Sequence, residues 1–290
     1  MFKKGFLIIL SIAIGLSLTA CVMEFDNAQS MVSGVLKEYK EAVELSDKHQ
    51  SGQSMELNLD MKVAKAVIDS TDDKLADVKF SYNSESLKPE FTVEDDEISI
   101  KNELEGFSLG KPVNLWDVKL TDKLPLEVKL RADASDLKLN MGSMLIKSVD
   151  ATLNASMAKI YFDEPNKELL KKFKLKADAS SASIYEACNS GFETLDIDAN
   201  ASKITLDLTG ENERDGEVRI DANASSLKLR LPENVGVRIV IDKYDISSVK
   251  INNSDVLSRS DKEYVTKNYE KTESTLKIYV DLNVTTLTIE

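Results

Sequence analysis

With 290 residues, 42% of them hydrophobic, 30% charged and only 5 prolines, the chain can fold around a sizeable core, and disorder is excluded as the default of its body. The formal charge is -13, and about -15 (35 basic against 50 acidic residues) once a leader carrying Lys3 and Lys4 is removed; such a surface repels phosphate backbones and excludes nucleic acid as a partner. It equally opposes adsorption to anionic headgroups, so any membrane attachment has to be hydrophobic.

The N-terminus supplies that attachment. Lys3 and Lys4 form a basic start, and Phe6 to Leu18 runs for 13 residues without a charge. A bilayer span wants roughly 20 apolar residues, so this stretch fits a secretory leader better than a membrane helix. It closes in Leu18-Thr19-Ala20-Cys21, which resembles the lipobox of bacterial lipoprotein precursors. The resemblance implies that a peptidase recognises Leu18, Thr19 and Ala20, cuts before Cys21, and leaves that cysteine carrying lipid. A doubly or triply acylated cysteine holds a bilayer stably. The expected location is the extracytoplasmic side of a cell membrane, whether inner or outer.

Residues 22–53 follow. Val32, Val35, Leu36, Tyr39, Ala42 and Val43 recur at steps of three and four, which predicts a short amphipathic helix, a stalk or a brace, before the break at Ser51-Gly52. The expected division is thus a leader over 1–20, a lipidated cysteine with tether and helix over 21–53, and a body over 54–290.

From Met55 the pattern changes to alternation, as in MELNLDMKV, LPLEVKLRA, KITLDL and LKIYVDL. Period two with apolar residues on one side predicts half-buried strands and an all-β body. The one helical candidate is Asn166 to Phe173, one or two turns set between strands. Six small-residue pairs punctuate the strands: Ala134-Ser135, Ala155-Ser156, Ala179-Ser180, Ala201-Ser202, Ala224-Ser225 and Val284-Thr285, with Val63-Ala64 as an earlier copy. The first five recur at about 22 residues, a period that predicts stacked coils whose neighbours complete one core, solenoid fashion. Asn154, Asn200, Asn223 and Asn283 stand one residue before the corner, where a left-handed backbone at asparagine is expected. They also form N-x-Ser/Thr sequons, which repeat chemistry accounts for.

Several stretches together are similar to the toast-rack family, β-repeat domains also found at the C-terminus of membrane proteins of the LiaF type. They are Leu115-Trp116-Asp117 leading into Leu124-Pro125-Leu126-Glu127-Val128, and Asn189 to Leu195. LTGENERDGEVRIDANASSLKLRLP with Gly236-Val237-Arg238-Ile239, and Tyr264 to Tyr269, complete the set. The likeness covers roughly 54–290. The family often has glycine where this chain has Ala134, Ala201 and Ala224. What the resemblance implies is a non-enzymatic envelope protein in sensing, regulation or adhesion, with an envelope protein as the expected partner and no catalytic residues.

Glu94-Asp95-Asp96-Glu97 offers hard oxygen ligands for calcium but reads first as a hairpin tip. Glu211 to Gly216 mimics part of a calcium loop, yet Ala222 stands where the bidentate glutamate belongs, and a hairpin turn at Asp215-Gly216 is expected. Trp116 is expected in the core rather than as a sugar platform. Cys188, alone if Cys21 carries lipid, is expected buried and inert, and His49, the single histidine, excludes a His-based dyad in the body. No catalytic residue, cofactor or metal is expected, and no small-molecule ligand is indicated; binding of cell-wall polymer, glycan or a divalent cation is the alternative function.

Overall fold

A computed structural model describes residues 35–46, 53–104, 111–211 and 214–290. The strands are β1 (Lys37–Glu44), β2 (Met55–Lys62), β3 (Lys65–Thr71), β4 (Lys74–Tyr82), β5 (Glu90–Glu94), β6 (Glu97–Lys101) and β7 (Asn114–Thr121). The middle of the chain gives β8 (Pro125–Asp133), β9 (Asp136–Asn140), β10 (Leu145–Asn154), β11 (Met157–Tyr161), β12 (Lys172–Asp178), β13 (Ser181–Tyr185), β14 (Thr194–Asn200), β15 (Lys203–Asp207), β16 (Gly216–Asn223) and β17 (Ser226–Arg230). The last segment gives β18 (Gly236–Asp245), β19 (Ser248–Ile251), β20 (Val256–Ser260), β21 (Glu263–Thr266), β22 (Thr275–Asn283) and β23 (Thr286–Ile289).

These strands form two sheets, and each repeat contributes one strand to each. The first sheet has 11 strands in the order β1-β4-β7-β3-β9-β11-β13-β15-β17-β23-β19, and the second has 12 in the order β20-β21-β18-β22-β16-β14-β12-β10-β8-β2-β6-β5. Through the middle of the stack all pairings are parallel, with one bulge between Ile146 and Ser148 of β10, and they set Leu153 beside Ala132 and Ala177 and Ile197 beside Leu175 and Ile220. The expected all-β stack is therefore what the chain builds, and its inner residues form one continuous apolar cluster from Met55 to Ile289. Each fully buried Leu, Ile or Phe in it contributes about 1.5–3 kcal/mol. Trp116 belongs to this core, its indole N–H donating to Asn114 Oδ1 at 2.8 Å and its ring packed edge-on against Phe80.

The corner between the two strands of a repeat is a single left-handed residue. Val63, Ala134, Ala155, Ala179, Ala201, Ala224, Ile246 and Val284 all have φ between 46° and 52°. This corrects the expectation for the asparagines: Asn154, Asn200, Asn223 and Asn283 end their strands in extended backbone, and the alanine or valine after each makes the turn. The asparagine side chains run instead from coil to coil, Asn154 Nδ2 donating to Asp133 Oδ1 at 2.6 Å and Asn283 Nδ2 to Asn223 Oδ1 at 2.8 Å. A Cβ in left-handed backbone costs about 1–2 kcal/mol per residue. Ala201→Gly is accordingly expected to raise the unfolding free energy by about 1 kcal/mol, the relief of that crowding outweighing glycine's extra freedom in the unfolded chain. Urea unfolding measures it, and a loss of stability would contradict the strained corner.

The hydroxyl that follows every corner except Val63 locks one coil to the next. The N–H groups of Ala64, Ser135, Ser156, Ser180, Ser202, Ser225 and Thr285 donate in turn to the hydroxyls of Ser135, Ser156, Ser180, Ser202, Ser225, Thr285 and Ser247, at 3.0 to 3.3 Å. Five of these hydroxyls donate back across the gap, Ser135 to the carbonyl of Met61, Ser156 to Ala132, Ser202 to Ala177, Ser225 to Ala199 and Thr285 to Ala222. A small hydroxyl side chain is required here because it bridges two backbones about 4.8 Å apart.

Three further features depart from the sequence reading. Tyr39 and Val43 lie on strand β1, which pairs antiparallel with β4 and stacks Tyr39 on Phe80, so the short helix expected within 22–53 gives way to a strand over 37–44. A spacing of four residues fits a helix face and a strand face equally, and the open edge of β4 decides between them. Asn166 to Phe173 likewise has no helical turn. Asn166 ties its loop to β10 and to the turn at Ser190, its Oδ1 accepting from Ile146 N–H and its Nδ2 donating to the carbonyls of Ile146 and Ser190, while Lys172 and Phe173 already belong to β12. Finally, Asp215-Gly216 is no hairpin: β15 lies in the first sheet and β16 in the second, and the segment between them climbs one coil.

The ends of the stack do not follow chain order. The N-terminal pair β2 and β3 sits inside the stack, beside β8 and β9 on one side and β6 and β7 on the other. At the far end β22 and β23 sit between β16–β17 and β18–β19. β2–β3 and the C-terminal pair β22–β23 are thus held between neighbours, and β1, the first strand, forms the outer edge of the first sheet beside β4.

Candidate binding faces

The charged surfaces of the stack are columns of side chains repeated once per coil. On the second sheet the register sets Glu127, Lys129 and Arg131 beside Ser148, Asp150 and Thr152, then Lys172, Lys174 and Lys176 beside Thr194, Asp196 and Asp198. Opposite charges pair between coils: Lys129 with Glu56 at 2.6 Å, Lys172 with Asp196 at 3.0 Å and Lys243 with Asp281 at 3.1 Å. The hydrogen bond from Lys129 holds the Glu56 carboxyl below its ordinary range, and Asn58 adds to it. These pairs are solvated, and each is worth at most about 1 kcal/mol.

Two troughs lie on this face. One of about 520 Å³ is bordered by Asn58, Asp60, Glu97, Lys101, Lys129 and Arg131. The other, of about 360 Å³, is bordered by Lys174, Asp196, Asp198, Arg219, Asp221 and Asp281. Asp60 and Asp196 each hold one buried carboxylate oxygen with no hydrogen-bond partner in the protein. Sequence reading missed both troughs, since the signal is the one-per-coil recurrence of Asp and Lys at outward positions of strands far apart in the chain.

The acidic segments singled out in the sequence do not converge. Glu94 to Glu97 is the tip of the β5–β6 hairpin, with Asp95 at φ 43°. Asp215 is a cap: its Oδ1 accepts the backbone N–H of Thr275 at 2.8 Å and the Thr275 hydroxyl at 2.9 Å, which holds its carboxyl below the usual range. No group of three or more His, Cys, Asp or Glu among the described residues is arranged to hold a metal ion. Leu18, Thr19, Ala20 and Cys21, with His49, lie outside the described residues.

Cys188 sits in a short 3-10 turn, Ala187–Ser190, and is 1% exposed. Burial, with Asp207 nearby, pushes its thiol up to about 12. The thiolate is the reactive form, so Cys188 is expected to resist a thiol-specific disulfide reagent at pH 8 in the native protein and to react fully in denaturant. Rapid native labelling would place this turn at the surface.

No curated protein matches the chain. Among solved structures, a proposed cell adhesion protein from Clostridium sporogenes is similar over 88% of this chain and 99% of its own, at 20% identity and a TM-score of 0.44. A proposed adhesin from Parabacteroides distasonis covers 89% of this chain and 98% of its own, at 12% identity and a TM-score of 0.37. A proposed lipid binding protein from the same organism covers the same shares at 8% identity and a TM-score of 0.33. The profile of the N-terminal domain of toast_rack, DUF2154, matches residues 32–179, just over half of the chain, and starts ahead of β1. With its parallel coils, left-handed corners and hydroxyl ladder, the chain belongs to the toast-rack family.

Proposed function

We propose that the chain is a lipid-anchored, extracytoplasmic, non-enzymatic interaction module of the cell envelope. Lipid on Cys21 tethers it, and the stack presents faces and an end to a protein partner, as a regulatory or adhesive element. The observation that carries the reading is the way the described residues spend their chemistry. Corner hydroxyls and strand-end asparagines bond neighbouring coils, and outward Lys and Asp residues pair across them, which is the chemistry of a rigid display scaffold.

The test is made on the full chain in its own membranes. Mass spectrometry of the mature N-terminal peptide should find Cys21 first and carrying diacylglycerol, and Cys21→Ser should leave the leader uncut and the cysteine-borne lipid absent. An unmodified Cys21 would overturn the anchor. Cross-linking in intact cells should then join the body to an envelope protein.

A second reading, binding of a cell-wall polymer, glycan or divalent cation, is favoured by the troughs holding the buried oxygens of Asp60 and Asp196 that accept no hydrogen bond. Co-sedimentation with purified peptidoglycan that is lost in an Asp60→Asn, Asp196→Asn double variant would establish it over the first.

A further inference from the structure

The outer face of the first sheet is basic, although the chain carries a formal charge of -13. From β9 through β11, β13, β15, β17 and β23 to β19, the strands present six cations, Lys138, Lys159, Lys203, Lys228, Arg230 and Lys250, against two acids, Asp136 and Asp207. Asp207 is taken by Arg230 at 3.2 Å, and Glu290, just past β23, by Lys228 at 2.7 Å.

The register gathers the donors of this face into one line. Neighbour by neighbour, the middle outward position reads Lys138, Lys159, Ser183, Thr205, Lys228, Thr288 and Lys250. Each is an ammonium or a hydroxyl, and the line runs for about 29 Å, six spacings of roughly 4.8 Å. Lys138 stands directly opposite Lys159, both exposed, a like-charge pair that costs stability. Among the described residues, Lys159 and Lys250 have no ion-pair partner, and the hydroxyls of Ser183, Thr205 and Thr288 make no hydrogen bond. Tyr161 and Tyr185, stacked with ring centres 4.8 Å apart, wall the line on one side, and the Lys138 ammonium lies over the Tyr161 ring at 5.4 Å. Met157, Ser181 and Lys203 border the other side.

We infer that this line is a docking track for a linear anionic polymer joined by phosphodiesters, laid along the stack. Phosphodiester oxygens only accept hydrogen bonds, so a row of donors without a carboxylate is what they require. The unpaired cations are lysines, point charges that suit phosphates strung on a flexible chain. A carboxylate polymer would favour the planar fork of arginine, and Arg230 is already taken by Asp207. The tyrosine pair offers ring faces and edges with hydroxyl tips to the sugar or polyol units between phosphates. The site is a track rather than a plane. A flat anionic bilayer resting on this face would also meet Asp136 beside the line and Asp117 beyond Val67, whereas a slender chain meets the line alone. The carboxylates of the second sheet lie behind about 10 Å of core, farther than the screening length of about 8 Å at physiological ionic strength. A protein partner would want an apolar centre, and Met157 is the exposed large apolar side chain of this face. The inference sharpens the second reading above, naming the polymer class and placing it on the first sheet instead of the troughs. It rests on the extracytoplasmic placement, which sets this face before envelope polymers.

Calorimetric titration of the purified full chain with poly(glycerol phosphate) tests the track. The unsubstituted chain should bind at about 50 mM salt and progressively release the polymer as salt rises. Lys138→Gln combined with Lys159→Gln should weaken binding about tenfold or more. It should also flatten the slope of log affinity against log salt by roughly 1.4, at about 0.7 per lost contact on a single strand. Lys176→Gln combined with Lys277→Gln removes the same charge from the second sheet and should change the affinity less than about twofold. Far-UV spectra of both double variants should match that of the unsubstituted chain. Polyglutamate and phosphatidylglycerol vesicles should bind more weakly than the phosphodiester polymer. No binding by the unsubstituted chain, an equal loss in the two double variants, or equal binding of polyglutamate or vesicles would overturn the track. The assay needs neither leader nor lipid, so an unmodified Cys21 would sink the anchor and leave this result standing.

Discussion

Phe173→Ala is expected to lower the unfolding free energy by about 3–5 kcal/mol, the range for removing a large side chain from a close-packed core. Phe173 is fully buried, pairs with Val149 on one side and Leu195 on the other, and packs edge-on against Phe162. Three successive coils lose contacts at once, and parallel coils held in register by backbone bonds cannot collapse into the space. Phe173→Leu keeps most of the volume and should cost less than about 1.5 kcal/mol. Urea unfolding with an unchanged m-value is the measurement. A cost below 1 kcal/mol would instead fit a peripheral helical turn at this segment.

Ser202→Ala is expected to cost about 2–3 kcal/mol, more than a residue of its size on a surface corner would suggest. Its hydroxyl accepts from the Ser180 N–H at 3.0 Å and donates toward the carbonyls of Ala177 at 2.9 Å and Asn200 at 2.8 Å. Ser180 is buried, so the alanine variant strands a donor that water reaches poorly, at about 1–3 kcal/mol for such a group. Ser202→Thr should stay within about 1 kcal/mol, because Thr285 already does the same work two coils along the stack. For a domain of this size the alanine variant should melt several degrees lower, at roughly 2–4 °C per kcal/mol. Equal melting temperatures for the serine, threonine and alanine forms would show that the ladder contributes nothing.

The parts of the fold that were legible in the sequence are those fixed by local periodicity. Alternation gives the inner and outer faces of strands such as Met55–Lys62 and Thr275–Asn283, and the Ala-Ser pairs give the corners and the period. What alternation leaves open is the neighbour. A parallel strand bonds to any strand of matching face, so nothing in MELNLDMK says that it lies between β8 and β6 rather than at the end. Tyr39 and Val43, four apart, satisfy both periods, so spacing alone does not distinguish the strand β1 from a helix. The corner was assigned to asparagine by its usual tolerance of left-handed backbone, but here the asparagine side chain is engaged by the adjacent coil, and the following alanine takes the strain. Of the candidate faces, little was legible: columns such as Lys174, Asp196, Arg219 and Tyr279 exist only once the coils are stacked.

Hydrogen exchange of the full chain, read by mass spectrometry, tests the stacking most directly. If β2 and β22 are interior rungs, amides of Met55–Lys62 and Thr275–Asn283 should exchange as slowly as those of Lys172–Asp178 at the centre, while β5 and β20 exchange fast. Fast exchange in β2 and β22, with protection rising toward the middle of the chain, would mean coils stacked in simple sequence order and would contradict the structure described.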